Sequence, residues 1–185
     1  MSRIPLPTKE STPAQSKPIL ERYEKLFGSV PNFFTLLANS PDALKGVADL
    51  HATIGKSLGN GTRERIHIAV AEVNGCNYCV SAHTFLGGKF SHLTQEDMDL
   101  NREGHSTDPK ADVAVQFAYK VAKSRGHIEA ADIEAVRSAG YTDAQILDII
   151  AELSFSFMTN LFNNVNQTEI DFPVIHTHYK ENASE

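Results

Sequence analysis

Apolar residues along this chain recur at helical spacing, and caps, prolines and glycines separate the runs. The alternation expected of strands does not recur. Pro18 opens a short helix through Phe27, and Gly28 stops it. Val30-Pro31 breaks the chain before a second short helix ending near Asn39. Ser40-Pro41, an N-cap followed by proline at the first helical position, predicts a helix to about Leu58. Gly59-Asn60-Gly61 reads as a turn. Thr62 caps the next helix, which runs to Asn74 with Gly75 as its stop. On that helix Ile66, Ala69, Val70 and Val73 form one stripe. Ile68, Ala71 and Gly75 lie nearly opposite, which predicts burial on two faces.

A helix from about Cys76 to Leu86 follows, ended by Gly87-Gly88. Thr94 caps a short acidic helix to Glu103. Asp108-Pro109 opens another that reaches Gly126, and one from about Ala130 stops at Gly140. Thr142-Asp-Ala-Gln145 is a capping box. It starts the longest helix, with Ile146, Ile149, Ile150, Leu153, Phe157 and Leu161 on one face. Phe155, Met158 and Phe162 fall outside that stripe, more apolar surface than one neighbour covers, and predict a subunit interface and a homo-oligomer. The expected fold is all-α, a single-domain helical bundle. Residues 1–17, rich in Pro, Ser, Thr and Lys, read as an extended arm pinned by Ile4 and Leu6. Residues 18–175 form the helical domain, and 176–185 a polar tail.

Composition narrows the function classes. With 185 residues the chain is long enough for one real core. Seventeen Lys+Arg against 23 Asp+Glu give a net charge of -6 and no basic stripe, which argues against nucleic acid and anionic membrane as partners. The N-terminus lacks the apolar core of a signal peptide, and no run approaches the ~20 apolar residues of a membrane helix. The expected compartment is the cytoplasm, where a close cysteine pair is catalytic or metal-binding more often than structural.

The chemistry sits in Glu72-Val-Asn-Gly-Cys76-Asn-Tyr-Cys79-Val-Ser-Ala-His83. Its cysteines are the chain's only two. On a helix, Cys79 and His83 share a face and Cys76 lies one turn back. The thiolate is the reactive form, and unpaired N–H groups at a helix N-terminus stabilise it. On dipole grounds alone Cys76 is the more activated thiol. A second thiol can close a disulfide on an oxidised first sulfur before over-oxidation, and His83 can move the proton. Glu64, twelve residues before Cys76, falls with Ile68 and Ala71 on an apolar stripe. There a carboxylate tends toward a raised pKa and can relay protons. The alternative is a salt bridge with Arg63 or Arg65, or a charge complementing the helix dipole. Glu72 is a second choice. His51, His67, His92, His105 and His127 stand alone in their segments and read as satisfied core or surface residues.

Other readings of the same residues compete. Cys76, Cys79 and His83 could supply three zinc ligands, with His176-Thr-His178 as a remote source of a fourth. A thioredoxin-like fold needs strands that are missing. Two buried, inert cysteines are the third possibility.

The run from Arg63-Glu64 through Cys76-Asn-Tyr-Cys79 to His83-Thr84 resembles the core of AhpD-like alkylhydroperoxidases, in the carboxymuconolactone decarboxylase superfamily. Gly140-Tyr-Thr-Asp-Ala-Gln-Ile-Leu-Asp and Asn163-Asn-Val-Asn-Gln-Thr-Glu-Ile-Asp-Phe-Pro173 resemble closing segments of its peroxidase-related branch, so the likeness spans roughly 31–173. The resemblance implies an all-helical oligomer and a dithiol peroxidase that reduces alkyl or hydrogen peroxide without cofactor. Cys79 then matches the cysteine that becomes sulfenic acid, Cys76 its disulfide partner, and His83 and Glu64 the proton relay. An external dithiol, lipoyl or thioredoxin-like, would reset the pair. One departure stands out: Tyr78 occupies the place of a histidine that the best-studied members carry between the cysteines. A non-catalytic redox sensor or dithiol adaptor, and a decarboxylase-type lyase, are the alternative functions.

Overall fold

A computed structural model of the chain describes residues 2–178. Among these residues there are nine α-helices and no strand: α1 (Lys17–Phe27), α2 (Asn32–Leu37), α3 (Pro41–Thr53), α4 (Asn60–Val73), α5 (Asn77–Ser91), α6 (Gln95–Arg102), α7 (Pro109–Ser124), α8 (Ala130–Ser138) and α9 (Asp143–Asn166). No helix among them is long and apolar enough to cross a membrane.

The punctuation behaves as its chemistry dictates. The side chains of Ser40, Thr94, Asp108 and Thr142 accept hydrogen bonds from first-turn amides, satisfying donors the helix itself leaves free. Thr142 and Gln145 complete the capping box.

The differences from the sequence pattern are informative. The helix opened by Ser40 ends at Thr53 rather than near Leu58, and a single 3-10 turn covers Lys56–Leu58. Gly55 breaks it, at φ +65, where a Cβ would overlap the Glu152 carboxylate. Asn60 and Gly61 are helical rather than a turn, because Gly59 at φ +75 takes the N-cap position. The cysteine helix passes through Gly87-Gly88 to Ser91. A Cβ on Gly87 would meet Leu93 at 3.1 Å and the Cβ of Glu64 at 3.7 Å, so this glycine brings helices together instead of stopping one.

Helix α4 packs against α5, α6, α7 and α9 and divides the core in two. Its Ile68 and Ala71 join Phe33, Leu44, Cys76, Cys79, Val80 and Phe155 in one cluster. Its Ile66 and Val70 join Phe117, Ala118, Ile146, Ile149 and Leu153 in the other. Ile66, Ile68 and Val70 are completely buried. Each is worth roughly 1.5–3 kcal/mol, against the few tenths that β-branching costs in helix propensity. Burial on two faces therefore holds α4 helical.

Helix α9 serves both clusters. Phe155 is buried on the cysteine side, and the half-buried Met158 and Phe162 pack against the same cluster. Leu147, Leu161 and Val165 remain exposed. Residues 2–16 are held by backbone and side chain alike: the Arg3 amide donates to the Asn166 carbonyl at 2.8 Å, the Ile4 amide to Asn166 Oδ1 at 2.6 Å and the buried Ser16 hydroxyl to the Ala38 carbonyl at 2.9 Å. At the other end, the Ile175 amide donates to Ser81 Oγ and the Thr177 amide to Asn77 Oδ1, laying this segment along α5. Residues 179–185 of the predicted tail lie outside the described residues.

Candidate active site

The break at Asn74-Gly75 makes Cys76 the N-cap of α5. Its Sγ accepts from the Cys79 amide at 3.2 Å, and the two sulfurs are joined in a disulfide. Cys76 is completely buried. Cys79 is 3% exposed, and its small exposed surface lines a cavity of about 330 Å³. Glu64, His67 and Arg63 from α4, His83 and Ala82 from α5, and His51 from α3 line the same cavity. Much of the rest of its wall is aromatic: Phe27, Phe33, Phe34, Phe90, Phe155 and Phe172.

Glu64 and His83 meet. Glu64 Oε2 lies 2.9 Å from His83 Nδ1, which leaves Nε2 as the nitrogen available to the cavity. The absent Cβ of Gly87, one turn beyond His83, lets the Glu64 stem approach α5. Burial pushes the Glu64 carboxyl up, but the adjacent His83, with His67 and His51 adding to it, outweighs burial and the net shift is downward. The raised value expected for a carboxylate on an apolar stripe is thus corrected: the stripe is right, and the partner reverses the sign. Arg63 and Arg65 turn instead to Glu152 and Asp97. Glu72 is engaged away from the cysteines, accepting from Arg102 Nε at 2.7 Å and from the His178 amide.

Tyr78 does not replace a relay histidine. It is 6% exposed, and its hydroxyl accepts from the Phe33 amide at 3.0 Å, tying α5 to α2. Burial first, and then the charge of Asp171, push its phenol well above the ordinary value, so it stays protonated. A second imidazole nevertheless reaches the site, from α4. The His67 ring stacks on His83 with centroids 4.4 Å apart. His67 Nδ1 lies 2.8 Å from Ser156 Oγ, and its Nε2 is 3.0 Å from Glu152 Oε2, close enough for attraction though not aligned as a hydrogen bond. Glu152, fully buried, also receives Arg63 Nε at 2.5 Å. Burial raises the Glu152 carboxyl, but His67 and Arg63 overcome that and hold it below its usual range.

Sequence reasoning missed His67, His51, Glu152 and Asn163. A signal for Glu152 existed. It follows Ile149 by three residues on α9 and so sits on an apolar stripe, as Glu64 does on α4. Asn163 donates through Nδ2 to Cys79 Sγ at 3.4 Å, a contact no local spacing encodes. Among the described residues no group of three or more His, Cys, Asp and Glu side chains is arranged to hold a metal ion.

The buried histidines make stability pH-dependent. Burial, reinforced by His67 and Arg63, lowers His51 to about 4, and burial with His83 lowers His67. A folded-state pKa below the unfolded value of ~6.5 means that the unfolded chain takes up the proton first as pH falls. Stability is therefore complete above about pH 6.5 and is lost toward pH 4. His51 alone accounts for roughly 2 kcal/mol by pH 5. The lowered Glu64 and Glu152 extend the loss below about pH 4.5. Urea melts at pH 7.5 and pH 5 measure this, and His51→Asn is expected to remove much of the difference. Equal stability at both pH values would contradict it.

Residues 41–99, which contain Glu64, both cysteines and His83, match the carboxymuconolactone decarboxylase family model. A peroxidase-related protein of Ralstonia eutropha JMP134, described as an alkylhydroperoxidase AhpD core, is 28% identical over 92% of each chain, with a TM-score of 0.82. The family match and this structural likeness together support the AhpD-like superfamily. A second neighbour, a peroxidase-related protein of Silicibacter sp. TM1040, is 26% identical over 90% of this chain and 89% of its own, at a TM-score of 0.79. The AhpD-like fold is shared more widely. The debrominase Bmp8 in complex with 2,3,4-tribromopyrrole has a TM-score of 0.75 at 18% identity, covering 92% of this chain and 94% of its own. A search of curated proteins returns no match.

Proposed function

We propose that this AhpD-like protein is a dithiol peroxidase acting on organic hydroperoxides. The supporting observation is that Cys79, not Cys76, opens onto an apolar chamber shared with the Glu64–His83 pair. In the reduced enzyme the Cys79 thiolate attacks the terminal peroxide oxygen. The O–O bond breaks, His83 gives its Nε2 proton to the departing alkoxide, and the alcohol leaves. Glu64 holds the imidazole through Nδ1 and balances its charge. Cys79 is then a sulfenic acid. The Cys76 sulfur attacks it, the S–S bond forms, and water leaves. An external dithiol, lipoyl or thioredoxin-like, attacks Cys79. Cys76 departs as a thiolate stabilised at the N-cap, and the second donor thiol releases Cys79, so the donor leaves as its own disulfide.

The chamber favours an organic substrate over hydrogen peroxide. Its volume of about 330 Å³ is some ten times the ~30 Å³ share of one water, and its walls are chiefly apolar, with six phenylalanines among them. Reduced protein supplied with dithiothreitol is expected to consume cumene hydroperoxide with a kcat/KM at least about tenfold above that for hydrogen peroxide, a difference of ~1.4 kcal/mol. Equal values would remove the substrate preference. No peroxide-dependent thiol oxidation at all would remove the peroxidase; a reversible disulfide without turnover would instead identify a redox sensor.

A further inference from the structure

The disulfide closes two sulfurs whose surroundings differ. Cys76, at the N-cap, receives a backbone N–H from the helix it begins. Cys79 lies one turn inside α5, where its own amide is already given to Cys76. Helix geometry alone therefore favours the thiolate at Cys76, the sulfur with no surface on the chamber. The charges around Cys79 do not reverse this by themselves. The titratable groups lining the chamber are His83 and Tyr78 on α5, Arg63, Glu64 and His67 on α4, and His51 on α3. Arg63 is committed to Glu152, and His83 to the Glu64 carboxylate, whose charge offsets that of a protonated imidazole.

One neutral donor from a remote part of the chain corrects the balance. Asn163, 4% exposed on α9, points Nδ2 at Cys79 Sγ over 3.4 Å. Its amide orientation is fixed, because the same nitrogen donates to the Thr159 carbonyl at 3.2 Å, and a carbonyl only accepts. One N–H is thus spent within α9, and the other is aimed at sulfur.

We propose that Asn163 is a catalytic residue that selects Cys79 as the nucleophile by donating a hydrogen bond to its thiolate. This rests on the peroxidase reading for its purpose, but not for its test. A fixed dipole does not titrate, so it supports the anion at every pH, and a hydrogen bond to a charged acceptor is stronger than one to a neutral acceptor. The same donor would then hold the sulfenate oxygen's parent sulfur in place while Cys76 attacks.

The test is iodoacetamide alkylation of the reduced protein at pH 7, followed site by site by mass spectrometry. In wild type Cys79 is expected to react first. In Asn163→Ala its rate should fall about tenfold (~1.4 kcal/mol), leaving Cys76 equal or faster. Asn163→Asp, nearly isosteric, keeps the packing but places an acceptor against sulfur and should slow Cys79 further; it also serves if the alanine variant does not fold. A Cys79 rate within twofold of wild type in either variant would overturn the proposal. So would acceleration at both cysteines, the mark of a merely loosened core. Alkylation needs no peroxide, so loss of the peroxidase reading would leave this result separately legible.

Discussion

Cys79→Ser is expected to abolish peroxide turnover, and Cys76→Ser to cut it nearly as far in the presence of a dithiol donor, each by at least about a thousandfold. The two losses should differ in kind. Without Cys79 nothing attacks the peroxide, because Cys76 is completely buried and has no surface on the chamber. Without Cys76 the Cys79 sulfenic acid still forms once, but no partner closes on it, and over-oxidation follows. Intact-mass measurement after one equivalent of cumene hydroperoxide separates these outcomes: no added oxygen in Cys79→Ser, one or more in Cys76→Ser. If both variants keep wild-type turnover, sulfur is not the reacting atom.

Glu152→Gln is expected to destabilise the fold by roughly 3–5 kcal/mol, a large share of the 5–15 kcal/mol that holds a typical domain together. Glu152 is fully buried between Arg63 and His67. Its charge offsets that of Arg63, whose side chain is only 14% exposed, and removing it strands the guanidinium. The loss should appear as a lower urea midpoint with an unchanged slope. Activity should also fall in the remaining folded protein, because His67 is stacked on His83 and Glu152 helps to place it. A change below about 1 kcal/mol would show that this network does not hold α4 to α9.

How far the sequence reached can be judged residue by residue. The caps at Ser40, Thr94, Asp108 and Thr142 were legible because each acts within its own turn. The two stripes of α4 were legible because the helical period orders them without reference to a partner. Glu64 and His83 stood out by spacing from the cysteines, and they do meet. Gly55, Gly61 and Gly87 misled. A glycine looks the same in sequence whether it stops a helix or lets another side chain approach, and at Gly55 and Gly87 the neighbours come from Glu152 and Leu93. His67 looked like an isolated core histidine, and in its own segment it is one.

By itself, then, the sequence determined the helices, the two-sided burial of α4 and the pairing of a dithiol with a histidine and a carboxylate, since each follows from contacts within a few residues or from a fixed period. Only the tertiary structure decided which sulfur opens onto the chamber, that Glu64 stays ionised, that the second imidazole comes from α4, and that Asn163 reaches Cys79 across 84 positions. Those outcomes depend on which groups face one another through the core, and on the balance there between burial and charge, which no local pattern records.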